Sequence, residues 1–141
     1  MIVIGSDHGG YELKEFLITH LKEKGIEVLD VGTDSTASCD YTDYADKAVE
    51  AVLSGKCEKG ILCCGTGIGI SIAANKYPGI RAARVTEPVS AALASEHNNA
   101  NFLCLGGRVT GNMLAAACVD AWLETKFAGG RHAERIAKMK L

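Results

Sequence analysis

The sequence predicts a three-layer α/β/α sandwich built on a five-stranded parallel sheet. Short β-branched runs alternate along the chain with longer amphipathic runs, the signature of βαβ units. The 141 residues suit one domain, 1–141, long enough to bury a core without disulfide staples.

Each element follows from its local pattern. Residues 1–6 (MIVIGS) read as a buried first strand. Over 11–24, Leu13, Phe16, Leu17 and Leu21 fall on one helical face, and Gly25 stops the helix. Residues 26–31 (IEVLDV) form the second strand, 35–44 a polar loop, and 44–53 a helix closed by Ser54 and Gly55. The third strand, 60–64 (GILCC), runs into Gly65-Thr66-Gly67-Ile68-Gly69, with a helix over about 70–76 and a Tyr77-Pro78-Gly79 turn. The fourth strand is 80–85, and Pro88 suits the first turn of a helix ending near His97. The fifth strand is 101–105, followed by an alanine-rich helix over 110–125 and a last helix over about 130–140. Right-handed crossovers give an expected strand order of 2-1-3-4-5, the flavodoxin-like arrangement.

Composition narrows the function classes. The apolar fraction is 48% and the charged fraction 23%, ordinary for a globular protein. A net charge of -2 offers no basic field for nucleic acid. No run approaches the roughly 20 apolar residues of a membrane helix. MIVIGSDHGG has no basic segment ahead of its apolar run, so the expectation is a cytoplasmic protein with its six cysteines reduced. The cysteines lack C-x-x-C or zinc-finger spacing, and no metal is expected.

In a parallel α/β sheet, ligands bind beyond the carboxyl ends of the strands. The loops there hold Asp7-His8, the glycine-rich 65–69, Thr86-Glu87 and Gly106-Gly107-Arg108, while His97-Asn98 leads into the fifth strand. The glycine loop is either a tight strand-to-helix turn or an anion cradle of backbone N–H groups at a helix start. It is not a Walker loop, since Thr66 stands where the lysine belongs. It is not a dinucleotide fingerprint, since Ile70 stands where the third glycine belongs, and no arginine follows at phosphatase-loop spacing.

Cys64 precedes this loop, where a helix N-terminus favours a thiolate; it is either a buried structural thiol or a nucleophile or base. His97 is either a helix C-cap or a proton donor and acceptor. His20 lies in a predicted helix with no polar partner nearby and reads as structural. Arg131 and Arg135, at i and i+4, form either a solvated face or a phosphate clamp.

Six ordered blocks span nearly the whole chain: GSDHGG (5–10), DYTDYA (40–45), CGTGIGISIAANK (64–76), GIRA (79–82), EHNNAN (96–101) and GGRHAER (129–135). Together they resemble the ribose-5-phosphate isomerase B family, which includes galactose-6-phosphate isomerase subunits. The resemblance implies a flavodoxin-like fold, a homodimer or dimer of dimers with active sites built from both chains, a sugar-phosphate substrate and no cofactor. It implies that Cys64 moves a proton between C2 and C1, that Thr66 assists at the adjacent oxygens, and that His97 opens the furanose ring. The amides of Gly65, Gly67, Ile68 and Gly69 would hold the enediolate oxyanion. Asp7, Tyr41 and Asn98 would hold hydroxyls, and His8, Arg108, Arg131 and Arg135 the phosphate. Some members use a glutamate six positions beyond the cysteine; Ile70 stands there, so the chain resembles the cysteine branch. Two alternatives stay open: an isomerase of a six-carbon sugar phosphate such as allose or galactose 6-phosphate, and a non-catalytic sugar-phosphate sensor.

Overall fold

The structure, a computed structural model, describes residues 1–140. Its elements are β1 (Ile2–Ser6), α1 (Tyr11–Glu23), β2 (Val28–Asp30), α2 (Tyr41–Leu53), β3 (Lys59–Cys64), α3 (Ile68–Ala74), β4 (Ala82–Arg84), α4 (Pro88–Glu96), β5 (Phe102–Gly106), α5 (Asn112–Glu124) and α6 (Arg131–Ala137). A 3₁₀ turn, His8–Gly10, stands between β1 and α1. Every strand pairing is parallel, and the chain adopts the expected α/β sandwich.

Strand parity builds the two cores. Ile2, Ile4, Ile61, Cys63, Leu103 and Leu105 face one side, where Leu13, Leu17 and Leu21 of α1 meet Val119 and Trp122 of α5. Val3, Leu62, Cys64, Phe102 and Cys104 face the other, against Ala45, Ala48 and Val49 of α2 and Ile70 of α3. β1 and β5 are buried along their whole length because both of their faces are covered.

The strand order is 2-1-3-5-4, not the expected 2-1-3-4-5. The physical reason lies in the two last strands. FLCLG of β5 is buried at every position and belongs inside the sheet, whereas the three residues of β4 are only partly covered and suit an edge. The chain thus skips one place from β3 to β4 and steps back to β5. Right-handed crossovers then put α4 on the face of α1 and α5, where Ala91 joins their core.

Smaller departures have local causes. The polar loop is shorter than expected because α2 starts at Tyr41 rather than residue 44. α3 starts at Ile68, two residues early, because Gly67 supplies a left-handed turn (φ 79°) immediately after the strand. β2, β4 and α6 are shorter than their expected spans. His20 does have a polar partner: its Nε2 lies 2.8 Å from Asp120 Oδ1 on α5.

Candidate active site

Three loops interlock at the carboxyl end of the sheet, and glycines allow it. The Gly107 N–H donates to Cys64 O (2.8 Å), the Arg108 N–H to Gly65 O (3.0 Å), and the Asp7 N–H to Cys63 O (3.2 Å). A methyl group on Gly107 would sit 2.6 Å from Gly9 O, and one on Gly106 would sit 2.6 Å from the Thr66 carbonyl carbon. The backbones after β1, β3 and β5 therefore pack closer than side chains would permit.

Cys64 ends β3, with its side chain on the α2–α3 face. It is 5% exposed, and its Sγ accepts the Gly67 N–H at 3.1 Å. Thr66 Oγ1 accepts the Ile68 N–H at 3.2 Å. Two of the amides expected to hold an oxyanion, those of Gly67 and Ile68, are thus engaged within the loop. Cys63 points to the opposite face, and burial pushes its thiol far up; burial does the same to Cys104 on β5.

The other expected residues divide into two groups. The first surrounds Cys64. Asp7 caps the 3₁₀ turn, its Oδ1 accepting from the Gly9 and Gly10 amides at 2.9 and 3.1 Å. His8 Nδ1 accepts the Cys39 N–H at 3.2 Å, so the neutral ring carries its proton on Nε2. The Tyr41 ring lies against Gly69, where a Cβ would be 2.8 Å from its Cζ, and Arg108 lies over Gly65.

The second group lies at the amino end of the sheet. α4 runs back along the strands, so His97, its C-cap, precedes β5 rather than following it. About 13 Å of β5 separates that end from Gly106, the register partner of Cys64. His97 stacks on His132 of α6, with ring centroids 4.3 Å apart. Arg131 and Arg135 belong to the same short helix. Asn98 lines a cleft of ≈ 540 Å³ with Arg81, Ile136, Met139 and Lys140. One chain therefore brings Cys64, Thr66, Asp7, His8, Tyr41 and Arg108 together but leaves His97, Asn98, Arg131 and Arg135 at its other end.

Sequence reasoning missed three participants. The Cys39 amide holds the His8 ring, and nothing in the sequence pairs the two. His132 sits in the last motif but was assigned nothing before its ring met His97. Arg84, outside every motif, donates from Nε to Thr66 O at 3.0 Å. Its one sequence signal was its position at the carboxyl end of a strand. Among the described residues no cluster of three or more His, Cys, Asp or Glu could hold a metal, and no helix is long and apolar enough to cross a membrane.

Comparison with known proteins identifies the family and the fold. A family model described as Ribose/Galactose Isomerase matches residues 2–139. Ribose-5-phosphate isomerase B of Escherichia coli K12 is 50% identical over 135 residues, covering 96% of this chain and 91% of the relative. The structure of Clostridium thermocellum ribose-5-phosphate isomerase B superposes with a TM-score of 0.96 at 56% identity, covering 97% of this chain and 93% of the other. Mycoplasma genitalium ribose-5-phosphate isomerase B, solved with bound ribulose 5-phosphate, superposes with a TM-score of 0.93 at 43% identity, covering 97% and 91%. The chain belongs to the ribose/galactose isomerase family.

Proposed function

We propose that this enzyme interconverts ribose 5-phosphate and ribulose 5-phosphate through an enediolate, as a step of the pentose phosphate pathway in the cytoplasm. The observation that carries the reading is Cys64: a thiol at the carboxyl end of the central strand, its sulfur met by a backbone N–H at 3.1 Å. An N–H donor favours the thiolate, the form able to take a proton. His97 protonates the ring oxygen as the anomeric hydroxyl loses its proton, which opens the furanose. Cys64 then removes the C2 proton, the electrons move onto the C1 oxygen, and the enediolate is held by loop amides. Return of the proton to C1, with Thr66 moving the hydroxyl proton between the two oxygens, gives the ketose. His8, Arg108, Arg131 and Arg135 anchor the phosphate, and Asp7, Tyr41 and Asn98 hold hydroxyls.

The separation of the candidate residues into two ends supports a homodimer, or a dimer of dimers, in which each site draws on two chains. Exposed apolar side chains on α3 and α4, among them Ile68, Ile72, Val89 and Leu93, suit such contact.

Proton NMR of ribose 5-phosphate in D₂O with the purified enzyme tests the reading. Ribulose 5-phosphate should appear with deuterium at C1, and Cys64→Ala should abolish it. No conversion, or conversion untouched by that substitution, would overturn it. The family description also names galactose, so six-carbon phosphates belong in the same assay; faster turnover of one of them would move the substrate assignment. The mechanism uses no metal, and exhaustive chelation should leave the rate intact; a loss restored by a divalent ion would count against it.

A further inference from the structure

One peptide unit, Thr66–Gly67, is held at both of its polar ends. Its N–H donates to Cys64 Sγ at 3.1 Å, and its C=O accepts from Arg84 Nε at 3.0 Å. Gly67 has φ 79°, and a Cβ there would lie 2.9 Å from the Leu105 carbonyl carbon, so the loop on one side of this peptide is sterically fixed. We infer that Arg84 is a positioning residue that holds the Thr66–Gly67 peptide with its N–H aimed at the Cys64 sulfur. The inference rests on the reading of Cys64 as the base.

Rotation of this peptide would turn an oxygen toward the sulfur, replacing a donor with an acceptor and disfavouring the thiolate. Arg84 opposes that rotation by engaging the oxygen. Its positive charge at the carbonyl end also polarises the peptide, which strengthens the N–H as a donor. Arg84 reaches the loop from the edge strand because β4 ends there: its side chain and that of Ala82 share the α3 face, and β5 lies between β4 and β3.

Other groups near the sulfur come from several elements. Cys104 faces the same core from β5, Tyr41 comes from α2 over Gly69, Arg108 lies over Gly65, and Asp7 and His8 follow β1. α3 carries no titratable side chain, and Cys63 points to the other face. Among the described residues, Arg84 is the side chain that hydrogen-bonds Thr66 O.

The test is the rate of iodoacetamide alkylation at Cys64 in substrate-free protein, followed by peptide mass mapping from about pH 5 to 10. It compares the native enzyme with Arg84→Ala, Arg84→Met and Arg84→Lys. Arg84 is exposed, and the Met variant keeps most of its stem, which guards against a folding defect. The Ala and Met variants should shift the midpoint upward by about one pH unit, slowing alkylation near pH 7 by about tenfold. The acid limb of kcat/KM should move in parallel, and Lys should restore most of the shift. Profiles that coincide for native, Ala and Met proteins would overturn the inference, as would a Lys profile displaced as far as Ala. Cys64→Ala separates the two ideas. If that variant still exchanges the C2 proton, the base reading fails whatever Arg84 does. If it does not, and the Arg84 profiles coincide with native, only the Arg84 inference fails.

Discussion

Cys63 and Cys64 are adjacent in sequence and opposite in chemistry, because neighbouring strand residues face opposite layers. Cys64 meets a donor amide at the loop, while Cys63 is sealed among Ile4, Leu17 and Leu105 on the other side. Cys64→Ala should remove isomerisation and solvent exchange of the C2 proton while sugar-phosphate binding persists. Cys63→Ala should keep most activity and cost about 1 kcal/mol of stability through lost packing. Paired isotope-exchange and urea-unfolding measurements check both; exchange surviving in Cys64→Ala would send the base assignment elsewhere. This pair was legible in the sequence because it needs only strand parity and one helix start. Arg84 was not, since its partner is a carbonyl 18 residues away, reached only once β4 is set beside β5.

Elements were readable wherever local pattern decides them, as with Gly25 ending α1 and Pro88 opening α4. Their order in the sheet was not, because it follows from competition between β4 and β5 for the interior, a comparison of burial across the whole sheet. Helix pairing is equally non-local. Asp120 on α5 accepts from His20 and from Lys24 of α1's end, each at 2.8 Å, across 100 residues in the case of His20. Burial alone would raise the Asp120 carboxyl, but hydrogen bonds from Lys24 and His20 and their charges outweigh it and hold it below the usual range. A lowered carboxylate adds stability above its unfolded value of about 3.9 and loses it as pH falls through the folded value. Asp120→Asn should therefore be less stable at neutral pH, by no more than about 1 kcal/mol because the cluster is open to water. The gap to the native protein should close below about pH 4. Urea midpoints across that range check it, and a gap independent of pH would mean that packing, not charge, joins α1 to α5.

At the scale of the whole molecule, the carboxyl end of the sheet holds Cys64 and the amino end holds His97 and the arginine pair of α6. If each site is shared between two chains, two differently crippled chains should repair one another. Cys64→Ala and His97→Asn proteins should each be nearly inactive on furanose substrate, yet co-expression should return about a quarter of native activity, since half of the randomly assorted dimers carry one intact site. Activity that stays at the level of the parents would mean that each chain works alone. The meshed glycines at the carboxyl end carry a consequence for how such an enzyme can change. Gly10, Gly106 and Gly107 leave no room for a methyl group against neighbouring backbone, so that end cannot be altered one loop at a time. Diversity libraries aimed at longer or differently branched sugars should therefore yield folded variants mainly from the cleft beside Asn98 and Ile136, where side chains rather than backbones set the reach.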